Sequence, residues 1–271
     1  MRSAKACLPK VFIYANGDGE VVEKTKEKLK KLLLSKRLYN ETNPDLIVCV
    51  GGDGTILRAA QDYINTLSEV SFVGVSSGTL GYMADYTPTE LKDLLNDILQ
   101  DNFSYRRNNL VKGELSGKSS QIIYGVNEIR IENPFHTLVM DVYIDDVFLE
   151  KYHGSGLNVC SSLGSSAYNR SLGGAIISED VNLLQLTEIA AISNICFSSL
   201  ESPIVLGQNQ TITYRGSFDH CVIGFDHLSF SLGDVKTPVE LRISLCSKEI
   251  IFARRKSLSG VDRLRKSFIL S

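Results

Sequence analysis

Leu46-Ile47-Val48-Cys49-Val50-Gly51-Gly52-Asp53-Gly54-Thr55 is the stretch that decides how this chain must be read. Five apolar residues in a row describe a strand buried on both faces. Three glycines then surround one carboxylate, and Leu57, Ala60 and Ile64 follow at helical spacing. A strand that ends in glycines and opens a helix aims unpaired helix N–H groups past the carboxyl end of a sheet, where open α/β sheets bind anionic ligands. Glycine lets the backbone approach a phosphate without a Cβ in the way. A tight turn with Asp53 as a helix cap would explain an isolated glycine pair; three glycines around a carboxylate favour phosphate chemistry. No Lys-Ser/Thr follows, so this is not a Walker loop, and the spacing is not that of the GxGxxG fingerprint. An aspartate beside a phosphate cradle can take a proton from an alcohol or align it for in-line attack. Phosphoryl transfer to a hydroxyl is the expected reaction class.

Outward from this loop, short apolar runs alternate with helical patterns. Val11 to Ala15 reads as a strand, and 20–38 as an amphipathic helix with Val22, Leu29, Leu32 and Leu33 inside. Phe72 to Val75 reads as a third strand. Thr87-Pro88-Thr89-Glu90 offers a capping hydroxyl, a proline at the first helical position and a glutamate three residues after the cap. A helix is expected to start there, burying Leu91, Leu94, Leu95 and Ile98. Strands alternating with helices predict parallel pairing in a Rossmann-like α/β domain.

From about residue 104 the apolar period changes to two. Ile122 to Glu132, Leu138 to Ile144, Val147 to Tyr152, Ile204 to Leu206, Thr211 to Tyr214, Cys221 to Phe225 and Val239 to Leu245 read as strands, with a hairpin turn at Asp145-Asp146. Asn182 to Ile192 fits a short helix or a strand equally. Arg254 to Ser271 sets six basic residues against Asp262, with Val261, Leu264 and Phe268 at helical spacing. This suggests a terminal amphipathic helix with a solvated basic face. The expected architecture is a Rossmann-like α/β domain over 1–106, with 252–271 packing back on it, and a larger β-rich, sandwich-like domain over 107–251.

Composition bounds the function classes. The 271 residues are 43% hydrophobic and 22% charged, with a formal net charge of -2. That excludes a polyelectrolyte and gives no sequence-wide attraction for nucleic acid or anionic lipid. Six scattered cysteines, at 7, 49, 160, 196, 221 and 246, form no CxxC pair and read as reduced, mostly buried thiols. No stretch approaches the ~20 apolar residues of a membrane helix, and the first apolar run is too short for a secretory core. A cytoplasmic protein with no membrane or nucleic-acid partner is expected.

The Gly-Gly-Asp-Gly-Thr segment resembles the signature shared by NAD kinases, diacylglycerol- and sphingosine-type lipid kinases and, more loosely, phosphofructokinases. Downstream residues choose among them: Asn127-Glu128, the Gly/Ser-rich segment from Gly154 to Gly174, Leu186-Thr187-Glu188-Ile189-Ala190, Asp226-His227 and the closing Phe252-Ala253-Arg254. In that order and spacing the chain resembles the bacterial NAD kinases over nearly its whole length.

The resemblance implies that Asp53 acts on the 2′-hydroxyl of the adenosine ribose of NAD, with Gly54 beside it, while Gly51, Gly52, Gly54 and Thr55 cradle phosphate. Asn127 and Glu128 would hold the ribose, and Tyr82 would lie against adenine; a core tyrosine is the competing account. Ser166, Ala167, Tyr168 and Ser171 would contact adenine and ribose, and Asp226 and His227 would lie near the reacting groups. The pattern departs at His153, where an arginine is frequent, at Ser155, where the family motif commonly has aspartate, and at Ser161 to Gly164, which lacks a proline. Ser155 would serve nicotinamide-end recognition without the usual charge, and His153 would be a further substrate contact. The implied partners are NAD with ATP or polyphosphate, with Mg²⁺ or another divalent metal arriving on the phosphates, in a homo-oligomer, by resemblance a tetramer. The rivals are a nucleotide-binding paralogue that has lost turnover and, more remotely, a lipid kinase using the same loop.

Overall fold

The structure, a computed structural model, describes residues 8–17, 19–78, 81–117, 120–233 and 239–269. Cys7 and the last two residues of the Arg254 to Ser271 stretch, Leu270 and Ser271, lie outside the described residues. The chain divides into two compact units, Met1–Arg107 with Ile250–Ser271, and Asn108–Glu249.

In the first unit β1 (Val11–Ala15), β2 (Leu46–Gly51) and β3 (Ser71–Ser76) pair in parallel in that order. The short β4 (Ala84–Tyr86) joins β3, also in parallel. Every residue of β2 and β3 is buried, as the unbroken apolar runs require of a sheet covered on both faces. Three helices follow the strands: α1 (Glu20–Ser35), α2 (Asp53–Asp62) and α3 (Leu91–Gln100). Leu29 and Leu33 of α1 are fully buried, each worth roughly 2 kcal/mol of burial.

Two boundaries differ from the sequence reading. The α1 pattern was expected to reach 38, but Arg37 adopts φ 58°, and the Leu38 N–H returns to the Leu33 carbonyl at 3.0 Å. Leu38 is therefore buried by a terminating turn and not by helix. At α3 the Thr87–Glu90 signal forms only its reverse half: Glu90 Oε2 accepts from the Thr87 N–H (3.0 Å) and hydroxyl (2.9 Å). That closed turn precedes the helix, which begins at Leu91 with the expected four residues buried.

The second unit is built from antiparallel strands. β5 (Phe103–Ser116) enters it and pairs with β6 (Gln121–Gly125). β7 (Glu128–Glu132), β8 (Leu138–Ile144), β9 (Val147–Gly154) and β10 (Gly156–Ser161) follow. After a 3-10 turn at Gly164–Ser166 and the four-residue α4 (Tyr168–Ser171) come β11 (Leu184–Ile189), β12 (Ile204–Leu206), β13 (Thr211–Gly216), β14 (Val222–Phe225) and β15 (Leu228–Ser231). β16 (Val239–Arg255) carries the chain back to the first unit, where Phe252 pairs in parallel with Phe72. One six-stranded sheet has the order β12-β11-β10-β7-β14-β15. The other layer of the unit pairs β16 with β13, β13 with β8, and β8 with β9. Ile129, Ile131, Leu157, Met140, Tyr214 and Leu241 pack in the shared core.

The open choice at 182–192 resolves as strand β11. The Asp145-Asp146 hairpin takes positive φ at both residues, 51° and 64°, as a tight turn matched to strand twist requires. The strand expected over Ile122 to Glu132 is broken at Val126-Asn127. The terminal helix α5 (Gly260–Phe268) exists, but its facing is not as expected. Val261 is 65% exposed, and the buried side chain is Arg263. Cys49, Cys160 and Cys221 are buried, Cys246 is half-buried and Cys196 is exposed. Among the described residues no helix is long and apolar enough to cross a membrane.

Candidate active site

In the first unit the glycine cluster forms the β2–α2 junction. Gly52 is the extended residue before the helix and Asp53 its first residue. Asp53 does not cap α2. Its carboxylate instead accepts the main-chain N–H groups of Tyr82 (2.9 Å, Oδ2) and Met83 (3.0 Å, Oδ1). Each oxygen retains acceptor capacity for a substrate hydroxyl. Burial pushes the Asp53 carboxyl above its ordinary range, while the Met83 and Tyr82 amides and the Arg254 guanidinium pull it back toward the ionised form.

Close approach explains two glycines here. A Cβ on Gly81 would sit 2.1 Å from Asp53 Oδ1, and one on Gly51 would sit 2.1 Å from Thr55 Oγ1. Gly52 and Gly54 have open space where a side chain would stand, and both are exposed. The amino end of α2 therefore presents bare backbone to solvent, as an anion cradle needs. Tyr82, expected against adenine, is 7% exposed, and its ring lies near-parallel to that of Phe268 at 6.3 Å between centroids.

The second unit gathers another set. The strand break at Val126-Asn127 is held by Asp226, whose Oδ2 accepts the Val126 N–H (2.8 Å) and whose Oδ1 accepts that of Asn127 (2.7 Å). Asp226 and His227 are the two-residue turn of the β14–β15 hairpin, in which Phe225 pairs with Leu228. Asp226 takes the left-handed φ of 49° that such turns favour. On the other side of the break, the Ser161 hydroxyl donates to the Val126 carbonyl at 2.7 Å and the Ser161 N–H donates to the Asn127 carbonyl at 2.8 Å. A Cβ on Gly164 would lie 2.1 Å from that carbonyl oxygen.

The break leaves two buried side chains with unspent hydrogen-bonding capacity. Asn127 is 6% exposed and its Oδ1 has no partner; Glu128 is 4% exposed and its Oε2 has none. Buried polar atoms are nearly always paired, so such a cluster marks a place where a ligand or water completes the bonding. Burial and the neighbouring Asp226 charge push the Glu128 carboxyl up to about 8, with Arg130 opposing. Arg130 lies 3.5 Å from Glu128 and 3.2 Å from Glu132, and 5.5 Å over the Tyr168 ring. The Tyr168 hydroxyl reaches Glu132 at 3.2 Å. Asn127, Glu128, Tyr168, Asp226 and His227 thus share one neighbourhood.

The Gly/Ser-rich segment lies against this neighbourhood. Ser166 donates to the Leu163 carbonyl at 3.2 Å, and Asn169 accepts from the Thr187 hydroxyl at 2.6 Å. Ser166, Ala167 and Tyr168 are half-buried and Ser171 is exposed. Ser155 is exposed at the β9–β10 junction, with its backbone tied to Ile189 and Asn133. His153 stacks on Phe197 at 4.1 Å.

Sequence reasoning missed the supports. Gly81 and Gly164 allow close approach to Asp53 and to the Asn127 carbonyl, and Ser161 ties the strand break by its hydroxyl and its N–H; no local residue pattern announces these contacts. Arg254 was read as part of a solvated basic tail, yet it is 2% exposed and its Nη1 donates to the Met83 carbonyl at 2.8 Å.

A carboxylate at a glycine-rich helix amino terminus, with a separate set of buried polar groups in the second unit, is the arrangement expected of a phosphotransferase acting on a hydroxyl. Residues 16–103 match the family model of the ATP-NAD kinase N-terminal domain, and residues 126–254 that of the ATP-NAD kinase C-terminal domain. The chain belongs to the NAD kinase family. It is 34% identical to an NAD kinase of Leuconostoc mesenteroides over 247 residues, covering 89% of this chain and 92% of that one. To an NAD kinase of Lactococcus lactis it is 34% identical over 265 residues, covering 96% and 97%. A crystal structure of yeast NADH kinase complexed with NADH superposes with a TM-score of 0.85 at 20% identity, covering 98% of this chain and 88% of that one. An NAD kinase from Archaeoglobus fulgidus in complex with ATP gives 0.72 at 19%, covering 96% and 97%. These two likenesses establish the shared fold.

Proposed function

We propose that this enzyme is an NAD kinase that transfers a phosphoryl group from ATP to the 2′-hydroxyl of the adenosine ribose of NAD, giving NADP. The observation that carries this reading is Asp53, half-buried at the amino end of α2 and fixed by two main-chain amides with acceptor capacity to spare. Asp53 takes the hydroxyl proton as the oxygen attacks the terminal phosphorus. Burial raises the Asp53 pKa, which makes the carboxylate a stronger base, while its two amide partners and Arg254 favour the ionised form that accepts the proton.

The first unit serves as the phosphate-binding domain, with Gly51, Gly52, Gly54 and Thr55 cradling phosphate oxygens through backbone N–H groups and a hydroxyl. The second serves as the NAD-binding domain. Asn127 Oδ1 and Glu128 Oε2 accept from sugar hydroxyls, which satisfies the two orphaned buried atoms. Tyr168, Ser166, Ala167 and Ser171 hold the adenine end, and Tyr82 backs the base. Asp226 fixes the Asn127-Glu128 backbone, with His227 beside it in the same turn, Ser155 serves the nicotinamide end, and His153 is a further substrate contact.

Among the described residues no three His, Cys, Asp or Glu side chains converge as a metal cage would. The residues present fit a divalent ion such as Mg²⁺ carried by the triphosphate, where it neutralises phosphate charge. A cytoplasmic homotetramer, and polyphosphate as a second donor, complete the proposal. Formation of NADP from NAD and ATP–Mg by the purified chain tests it, and replacing ATP with polyphosphate tests the donor. A chain that binds NAD without forming NADP would instead be the binding paralogue.

A further inference from the structure

We propose that the carboxyl-terminal helix α5 is a positioning element for phosphoryl transfer, with Arg263 acting on Asp53 through Asp85, Arg254 and the Met83 peptide. This rests on Asp53 being the proton acceptor. α5 docks by a charge where its sequence offers apolar residues: Val261 is exposed, and Arg263 is buried with a side chain only 3% accessible. Arg263 Nη1 stands 3.4 Å from Asp85 Oδ1 on β4. The same oxygen lies 3.7 Å from Arg254 Nη1, and the Arg255 N–H donates to Asp85 Oδ2 at 2.9 Å. Arg254 Nη1 donates to the Met83 carbonyl at 2.8 Å, and the Met83 N–H donates to Asp53 Oδ1 at 3.0 Å. A second contact runs in parallel, from Phe268 of α5 to the ring of Tyr82, whose N–H holds the other Asp53 oxygen.

The charges explain why a second arginine is there. Asp85 is one carboxylate between two buried guanidinium groups. With Arg263 also on Asp85, Arg254 shares that carboxylate and bonds the Met83 carbonyl, and its field also reaches Asp53. Without Arg263, Asp85 draws Arg254 closer, because a buried charge left unbalanced is strongly disfavoured. The Met83 peptide then loosens and Asp53 loses both its alignment and part of the positive field that favours its ionised form. Among the described residues, the charged groups facing Asp53 are Arg254 from β16 and, through it, Asp85 from β4 and Arg263 from α5. The sequence supports the geometry at the helix start, where Ser259 and Asp262 cap each other's backbone N–H groups and fix the turn that carries Arg263.

The test measures kcat, its pH profile and NAD affinity by calorimetry for full-length Arg263→Met, Arg263→Lys and wild type. The expected result for Arg263→Met is a kcat at least about tenfold lower, as displacement of a reacting group costs, with NAD affinity within about threefold. Its acid limb moves to higher pH, since Asp53 holds its proton more tightly with less positive charge nearby; Arg263→Lys recovers part of both. An Arg263→Met enzyme with wild-type kcat and pH profile overturns the proposal, as does a loss of kcat with an unmoved acid limb. If Arg263→Met does not fold, Ser259→Ala, which removes a neutral capping side chain from the start of α5, is expected to shift the acid limb the same way, and an unshifted limb contradicts the proposal. Asp53→Asn in the same series separates the two claims: activity surviving that change removes the assigned base, whereas a silent Arg263→Met with an inactive Asp53→Asn removes only the role of α5.

Discussion

Asp226 Oδ1 accepts the main-chain N–H of Asn127 at 2.7 Å, across 99 residues of sequence. One carboxylate at a hairpin turn thereby fixes the strand break that leaves buried polar atoms of Asn127 and Glu128 without partners. Asp226→Asn keeps the shape but turns one acceptor into a donor facing an N–H group. Hydrogen bonds to a charged acceptor contribute about 1.5–3 kcal/mol, so KM for NAD is expected to rise about tenfold with a clear loss of melting temperature. Steady-state kinetics beside thermal melts check this, and an unchanged KM would show that the break is held without Asp226.

Glu128 gives a pH-dependent stability. Its carboxyl is pushed up to about 8 by burial first and by Asp226 second. A group whose pKa is higher folded than unfolded stabilises the fold while both states are protonated, and that stability is lost as pH rises from its ordinary carboxyl range through about 8. Glu128→Gln removes the penalty of ionising a buried acid. The ligand-free variant is expected to be more stable than wild type at pH 8, on the order of 2 kcal/mol, with little difference at pH 5. Melting curves at the two pH values decide it, and equal differences at both would contradict the buried-acid account.

How much of this was legible beforehand varied with the physics involved. The buried runs of β2 and β3 and the amphipathic face of α3 were readable because each element's own residues carry the period that burial selects. Asp53 was readable because the local glycines announce bare backbone. The break at Val126-Asn127 was not, since its cause lies in Asp226 and Ser161, and the facing of α5 was not, since Arg263 is buried against Asp85, 178 residues away in sequence. Features fixed by long-range pairing leave no mark on local periodicity.

Gly81→Ala tests the packing around the base. The added methyl would begin 2.1 Å from Asp53 Oδ1, so the carboxylate has to move. A displacement of that order is expected to lower kcat by about 100-fold, with NAD binding by the second unit largely kept. Single-turnover assays and calorimetry separate the two effects, and full kcat would mean that Asp53 tolerates relocation.

Ser155→Asp examines the departure at the β9–β10 junction. Ser155 is exposed, and its backbone bonds to Ile189 and Asn133 do not use the side chain, so the substitution leaves the fold unstrained. Restoring a carboxylate is expected to lower KM for NAD severalfold at constant kcat. A fall in kcat instead would place Ser155 outside nicotinamide-end recognition.

The most direct measurement is the rate of NADP formation from NAD and ATP–Mg by wild type and by Asp53→Asn, with NAD affinity measured on both. The account expects turnover by the wild type and a loss of at least about 1,000-fold in kcat for Asp53→Asn, with NAD still bound. An Asp53→Asn enzyme that turns over at the wild-type rate would contradict it.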